Sequence, residues 1–237
     1  RASEPLASWL LIGNSRWHWA ESSGNGLRCW HTAPCEGLDP AQQQGLQAWA
    51  AVGPLPEPAP NPLVRRIDLG DIPLKDRPAW LGIDRALVGW RASQQQGHGV
   101  LVADAGTALS LTWVDAQSRF QGGLISAGVA LQLRGLGGST AQLPLLQPAG
   151  AGSGEAWPRQ TAAAMEEGCR RAVAGAILQA WSTLRAQVGS VDLALWLTGG
   201  DGPQLMPLLE EQQVRPVLAP DLALEALAAL PVVGLLR

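Results

Sequence analysis

The chain has 237 residues, of which 46% are hydrophobic and 16% are charged, and its formal net charge at pH 7 is −3. This length and balance indicate a globular protein with one large or two small domains, each with its own core. The charge gives no basic footprint for nucleic acid, and no apolar run is long enough to span a bilayer. Neither nucleic acid nor a membrane is therefore predicted as a partner.

The cysteines indicate a reducing compartment. Cys29, Cys35 and Cys169 are odd in number and form no CxxC pair, which argues against both a disulfide framework and a zinc knuckle. The N-terminal residues also lack the basic, apolar and small-residue pattern of a signal peptide. We therefore expect a cytoplasmic protein.

The first part of the chain has a strand-turn-strand pattern. The apolar run from Trp9 to Ile12 ends in Gly13-Asn14-Ser15, and an alternating run follows over residues 16–20. Such a pattern predicts two strands joined by a polar turn, and a third strand is predicted near residues 27–31.

After these strands, the sequence predicts a helix, an extended connection, a strand and a second helix. Asp39 is predicted to cap a helix that runs to about Val52. Five prolines between residues 54 and 62 then predict an extended connection, because proline lacks the backbone donor that a helix needs. A strand over residues 63–69 and a helix that begins near Asp84 complete this half.

The strand-turn-strand pattern begins again after the polar residues 93–99, so we divide the chain into domains at 1–95 and 96–237. An apolar strand ends at Asp104, turns at Gly106-Thr107 and restarts as a second strand. Helices are predicted over 128–136, from Thr161 onward, over 205–212 and over 222–230. A strand over 193–197 ends in Thr198-Gly199-Gly200-Asp201.

Three turns rich in glycine and hydroxyl residues follow apolar strands, and they are the sequences IGNS, DAGT and LTGGD. Small residues let backbone N–H groups approach a phosphate, and Asp104 could face a nearby cation. None of the three matches a P-loop or a Rossmann fingerprint. An aspartate in an ordinary hairpin turn is the alternative interpretation of Asp104.

Asp84 lies beside Arg85 near a predicted helix start, which joins a potential base to a fixed positive charge. An aspartate favoured there only by the helix dipole is the alternative.

The chain contains, in order, GIDR at 82–85, DAGTALSLTWVD at 104–115, FQGGLISAG at 120–128, TAQLP at 140–144, LTGGD at 197–201 and PDLALEAL at 220–227. The order and spacing of these motifs resemble those of the type III pantothenate kinases. The resemblance implies an α/β fold with two ribonuclease-H-like, actin/sugar-kinase-like domains and a nucleotide cleft between them. It also implies a homodimer.

The resemblance implies phosphorylation of pantothenate to 4′-phosphopantothenate by ATP with Mg²⁺, the first step of coenzyme A biosynthesis. Asp84 would be the catalytic base and Asp104 would bind a monovalent cation, K⁺ or NH₄⁺. Substrate would contact Gly82, Ile83, Asp84, Arg85 and Thr161, and ATP would contact Ile12, Gly13, Asn14, Ser15, Gly106, Thr107, Gly199 and Gly200. A plain helix N-cap is the alternative for Thr161.

The chain departs from the family pattern at Leu11, where the family has an aspartate expected to help bind magnesium. This departure favours a second hypothesis, a catalytically weak relative that acts as a regulatory or binding protein. A kinase for another small alcohol is a third hypothesis, and the GIDR motif argues against it.

Overall fold

The computed structural model describes residues 6–148, 154–189 and 192–231. The chain forms two units, unit 1 from residues 1–91 with 221–237 and unit 2 from residues 92–220. The division predicted from the sequence differs from this one mainly in the last helix, which it assigned to the second domain. That helix packs on the sheet of unit 1.

Unit 1 contains a five-stranded sheet in the order β3-β2-β1-β4-β5. Its first three strands are antiparallel neighbours, and β4 and β5 add in parallel. The strands are β1 Ser8–Ile12, β2 Trp17–Ser23, β3 Gly26–Thr32, β4 Leu46–Ala51 and β5 Arg65–Arg66, and the helices are α1 Pro40–Gln44, α2 Ile83–Gln96 and α6 Leu222–Ala229. Helix α2 continues from unit 1 into the first residues of unit 2.

One apolar cluster of unit 1 lies on one face of this sheet. Leu10 and Ile12 of β1, Trp17 and Trp19 of β2 and Trp49 of β4 are all buried together there. Alternation along each strand places these side chains on one side, because successive residues of a strand point to opposite faces.

The helix predicted from Asp39 to Val52 is wrong beyond its first turns. Asp39 does cap α1, because its carboxylate accepts a hydrogen bond from the Gln42 N–H at 2.8 Å and its own N–H donates to the Gln42 side chain at 3.0 Å. The helix ends at Gln44, and residues 46–51 form β4 instead. Parallel pairing with β1 buries this apolar segment in the middle of the sheet, which outweighs its local helical preference.

Unit 2 repeats the same topology, with the sheet order β10-β9-β6-β7-β8. Strands β6, β7 and β8 are antiparallel neighbours, and β9 and β10 add in parallel. The strands are β6 Gly99–Ala105, β7 Ala108–Val114, β8 Phe120–Ala127, β9 Leu193–Thr198 and β10 Val217–Leu218, and the helices are α3 Val129–Ser139, α4 Thr161–Val188 and α5 Gly202–Glu210. The repeated order confirms the prediction that the two halves share one plan.

Helix α4 supplies much of the core of unit 2. Its buried residues include Met165, Cys169, Val173 and Ile177, at the spacing predicted for one apolar stripe. Glu167 is also buried, and it pairs with the next turn of the helix, at 2.8 Å from Arg170 and 2.6 Å from Arg171. None of the helices in the described ranges is both long and apolar enough to cross a membrane.

Candidate functional site

The turn between β1 and β2 is tightly packed. The Gly13 N–H donates to the Arg16 carbonyl at 3.0 Å, and a Cβ atom on Gly13 would lie 2.6 Å from the same oxygen. On the other side, the N–H groups of Val52 and Gly53 both donate to the Ile12 carbonyl, at 2.8 and 3.2 Å. The predicted residues Asn14 and Ser15 form the exposed tip of this turn.

His18 lies against this turn, although no sequence pattern indicates it as a site residue. Its Nε2 atom is 3.2 Å from the position of a Cβ on Gly13, and its Nδ1 atom is 2.9 Å from Nδ1 of His31. Burial, and after it the neighbouring His31 and Arg16, lower the pKa of His18 to about 4. Leu11 is the direct partner of His18 in the β1–β2 pair, so both side chains lie on one face of the sheet.

The predicted substrate residues of unit 1 lie at the start of α2. Ile83 is the first residue of this helix, and Asp84 lies in its first turn, where the carboxylate accepts a hydrogen bond from the Arg85 N–H at 2.8 Å. A Cβ on Gly82 would be 2.6 Å from Oδ1 of Asp84, so a larger residue would make this carboxylate turn away from its present orientation. Arg85 is buried, which lowers its pKa, while the charge of Asp84 opposes that shift.

Asp104 and Gly199 come together in unit 2, at the ends of the neighbouring parallel strands β6 and β9. Asp104 pairs with Thr198 in the register of these strands. Gly199 follows with a φ of +85°, and a Cβ there would overlap the Ala105 carbonyl and lie 2.5 Å from Oδ1 of Asp104. The Asp201 N–H donates to the same Ala105 carbonyl at 2.9 Å, which ties the turn after β9 to the end of β6.

Backbone hydrogen bonds within unit 2 also fix the predicted turn at Gly106-Thr107. The Gly106 N–H donates to the Ala108 carbonyl at 3.0 Å, and the Gly128 N–H donates to the Thr107 carbonyl at 3.1 Å. A Cβ on Gly106 or on Gly200 would meet no atom within 4 Å. The backbone at these two glycines is therefore open to close approach by another group.

Thr161 is the first residue of α4, and the N-cap position belongs to Gln160. The side chain of Thr161 is exposed, so neither helix capping nor a buried contact explains a threonine at this position.

The side chains near these turns fit a metal ion that is bound mainly by substrate phosphates and only partly by the protein. Among the residues that the structure describes, no group of three or more His, Cys, Asp and Glu side chains could hold a metal ion. Mg²⁺ keeps several waters and needs only one or two protein carboxylates when substrate phosphates also bind it. The carboxylate of Asp104 near two glycines that border open space, Gly106 and Gly200, is therefore compatible with Mg²⁺-ATP.

Comparisons with known proteins bring these observations together. The model of the family described as type III pantothenate kinase matches residues 64–183. The type III pantothenate kinase of Thermosynechococcus vestitus is 40% identical over 204 residues, which cover 84% of this chain and 79% of that enzyme.

Two solved structures show the fold. One, from Campylobacter jejuni, is assigned to the Baf family of transcriptional activators and has a TM-score of 0.59 at 17% identity, with 94% of this chain and 96% of that protein covered. The other, from Sinorhizobium meliloti, is assigned as a 2-dehydro-3-deoxygalactonokinase and has a TM-score of 0.55 at 16% identity, with 94% and 97% covered. These likenesses and the repeated sheet order confirm two ribonuclease-H-like units of the actin/sugar-kinase-like class. By its sequence and its fold, this chain belongs to the type III pantothenate kinase family.

Proposed function

We propose that this kinase transfers the γ-phosphoryl group of ATP to the primary hydroxyl of pantothenate, with Asp84 as the general base. Kinase activity and a place in coenzyme A biosynthesis follow from membership of the family. The observation that best supports the nucleotide side is the close approach of Asp104 to the Gly199 turn, next to the open backbone of Gly106 and Gly200.

Two contacts of Asp84 support its proposed role as general base. The Arg85 N–H holds its carboxylate in one orientation, and Gly82 leaves space beside it. The carboxylate takes the proton from the hydroxyl of pantothenate as the oxygen attacks phosphorus. Gly82, Ile83 and Arg85 line the substrate, and Thr161 gives a further contact.

The glycine turns act by positioning. Phosphoryl transfer depends mainly on alignment and on stabilisation of charge over the phosphoryl oxygens, and Mg²⁺ neutralises part of that charge when ATP is bound. The turns line the phosphates, and Asp104 holds a monovalent cation, K⁺ or NH₄⁺. Gly13 and Gly106 contribute close backbone approach, because their own N–H groups already donate to the Arg16 and Ala108 carbonyls. The phosphate-binding residues are Ile12, Gly13, Asn14, Ser15, Gly106, Thr107, Gly199 and Gly200.

The proposal includes a homodimer that works in the cytoplasm. The exposed edge strand β8 supports self-association, because Leu124 and Ile125 are 58% and 65% exposed and, as neighbours in a strand, point to opposite faces.

A binding or regulatory protein of low activity is the second candidate. Leu11 favours it, because a buried leucine, 5% exposed, stands where the family has a carboxylate.

Release of ADP from ATP separates the two candidates. We expect release that requires pantothenate and Mg²⁺ and that falls when Na⁺ replaces K⁺ and NH₄⁺. Folded protein that releases no pantothenate-dependent ADP at millimolar ATP, pantothenate, Mg²⁺ and K⁺ would leave the regulatory candidate ahead.

A further inference from the structure

A network of polar side chains leads from helix α4 to the turn after β9. It begins at Glu167, which is only 6% exposed although it carries a carboxylate. The two carboxylate oxygens accept from different arginines, Oε2 from Nη1 of Arg170 at 2.8 Å and Oε1 from Nε of Arg171 at 2.6 Å. The Arg170 side chain is 12% exposed and the Arg171 side chain 46%, so Arg170 is the arginine that points into the protein.

Arg170 is also the arginine that reaches the neighbouring helix. Its Nη2 donates to the Gln204 carbonyl in the first turn of α5 at 2.9 Å, and α4 and α5 pack against each other in the core of unit 2. Among the described residues, the guanidinium of Arg171 donates to Glu167 alone. The two arginines therefore share a carboxylate, but only one of them is tied to α5.

Gln204 continues the network to the turn that holds Gly199 and Gly200. Its Nε2 donates to Oδ1 of Asp201 at 2.8 Å. Asp201 occupies the N-cap position of α5, yet its carboxylate makes no capping hydrogen bond to the helix backbone. The Gln204 amide therefore takes the place of a backbone cap on this carboxylate. The backbone N–H of Asp201 donates in turn to the Ala105 carbonyl at 2.9 Å, at the end of β6.

Stability alone does not account for Arg170. Burying an ion pair costs about as much in desolvation as the attraction returns, so apolar side chains of similar volume are often equally stabilising. Nε of Arg170 is in addition buried without a hydrogen-bond partner among the described residues, which costs further free energy. What the network supplies is orientation, because hydrogen bonds between charged groups add geometric specificity.

The position of the turn matters because the turn meets Asp104. A Cβ on Gly199 would lie 2.5 Å from Oδ1 of Asp104 and overlap the Ala105 carbonyl, so the turn and the end of β6 are in close contact. A displaced turn would change both the open space at Gly200 and the surroundings of the Asp104 carboxylate. Misplacement by about 1 Å can reduce turnover roughly 10²-fold.

We infer that Arg170 and Gln204 are positioning residues for the ATP site, which hold the Gly199-Gly200-Asp201 turn in place against the end of β6. Arg170 fixes the first turn of α5, and Gln204 fixes the residue that follows the two glycines. Both act through the turn, and neither touches the nucleotide. The inference rests on the proposed function, in which Gly199 and Gly200 contact ATP, and it extends that site to a buried group on α4.

Calorimetric titration with Mg²⁺-ATP tests the inference without turnover. Gln204→Met removes the amide donor and keeps the length of the side chain, and Arg170→Met removes the guanidinium and keeps an apolar stem. Each should weaken ATP binding roughly 10- to 100-fold, the loss seen when a group that orients a metal ligand is removed. Arg171→Met is the matched control, because it also removes a partner of Glu167 but no bond to α5. It should bind ATP as wild type does.

Steady-state kinetics separate positioning from a purely structural role. In Gln204→Met the KM for ATP should rise, while the KM for pantothenate should stay at the wild-type value. A structural role would lower the thermal unfolding midpoint and leave the KM for ATP unchanged, and that result would overturn the inference.

Amide hydrogen exchange of the unliganded protein gives a test that requires no ATP. The exchange rate of the Asp201 N–H reports how firmly the turn is held, because this group donates to the Ala105 carbonyl. The rate should rise in Gln204→Met, whereas the Gly128 N–H, which donates to the Thr107 carbonyl, should exchange as in wild type. An unchanged rate at Asp201 would overturn the inference even if Arg170→Met did not fold.

The outcomes distinguish the inference from the proposed function. Wild-type protein that binds ATP while folded Gln204→Met binds it equally well overturns the inference alone. Equal losses of ATP affinity in Arg170→Met and Arg171→Met also overturn it, because only Arg170 is tied to α5. Folded wild-type protein that binds no ATP overturns the proposed function and the inference with it.

Discussion

Asp84 and Arg85 are adjacent in the chain but differ in their surroundings. Asp84 is half-buried and held by one backbone hydrogen bond, whereas the guanidinium of Arg85 is buried and serves as a fixed charge beside it. The carboxylate is therefore the member of this pair that can exchange a proton with a substrate.

Replacement of Asp84 by asparagine should reduce pantothenate-dependent ADP release by roughly 10²–10⁴-fold, the usual contribution of a general base. The amide oxygen can still accept the Arg85 N–H, so the thermal unfolding midpoint should stay close to that of wild type. Asp192→Asn, at an exposed aspartate, is the control and should keep full activity. A folded Asp84→Asn protein with most of its activity would remove Asp84 from the catalytic role.

The pKa of His18 predicts an acid-dependent loss of stability. Its pKa is about 4 in the folded protein against 6.5 for the free side chain, mainly because of burial and then because of His31 and Arg16. Between these values the unfolded chain binds more protons than the folded one, so the free energy of unfolding should fall as the pH drops from 6.5 to 4.

Denaturant titrations at several pH values measure this slope. His18→Gln does not titrate at that position, so its stability should depend less on pH in this window than that of wild type. Equal slopes for the two proteins would show that the folded state protonates His18 as easily as the unfolded state does.

At the level of elements, the loops after β6 and β9 are locked to one another through glycine. Two features require glycine at position 199. Its φ of +85° disfavours any side chain, and a Cβ atom would overlap the Ala105 carbonyl. The neighbouring Gly200 has open space around it.

Gly199→Ala should therefore lower the free energy of unfolding by about 1–3 kcal/mol, the cost of a strained backbone position. Gly200→Ala is the matched control, and its free energy of unfolding should change by less than about 1 kcal/mol. Chemical denaturation followed by tryptophan fluorescence measures both. Equal losses for the two variants would contradict the close packing at Gly199.

The sequence predicts elements well where one face is buried and poorly elsewhere. Strands β1, β2, β6 and β7 alternate or form apolar runs that end at turns, and the structure confirms them. Strand β8 was missed because it is an exposed edge strand with two glycines and shows no alternation. Segment 46–51 was taken as helical because its pairing with β1 is a long-range contact that no local pattern reveals.

The same limit applies to the site. Turns at Gly13, Gly106 and Gly199 could be found because glycine and hydroxyl residues after an apolar strand are a local signal. His18 could not, since its place beside the first turn comes from the register that sets it opposite Leu11 and from the side-chain contact with His31. The roles of the site residues stay predictions until variants are measured.

At the scale of the whole molecule, we expect a homodimer. Sedimentation at micromolar concentration should show twice the mass of one chain, and Ile125→Asp, on the exposed edge strand β8, should shift the equilibrium toward monomer. Leu63→Asp, at a side chain that is 78% exposed in unit 1, is the control. A fully active wild-type monomer would contradict the expectation.

The position of helix α6 in the chain affects the order in which the two units can fold during translation. The helix packs against β1, β2 and β4, although the whole of unit 2 separates it from them in the chain. On the ribosome, β1, β2 and β4 emerge first, but α6, which packs on them, emerges only after all of unit 2 has left the exit tunnel. The unit that is translated first is therefore the one completed last, and its apolar sheet face is the surface that a chaperone would meet on the nascent chain.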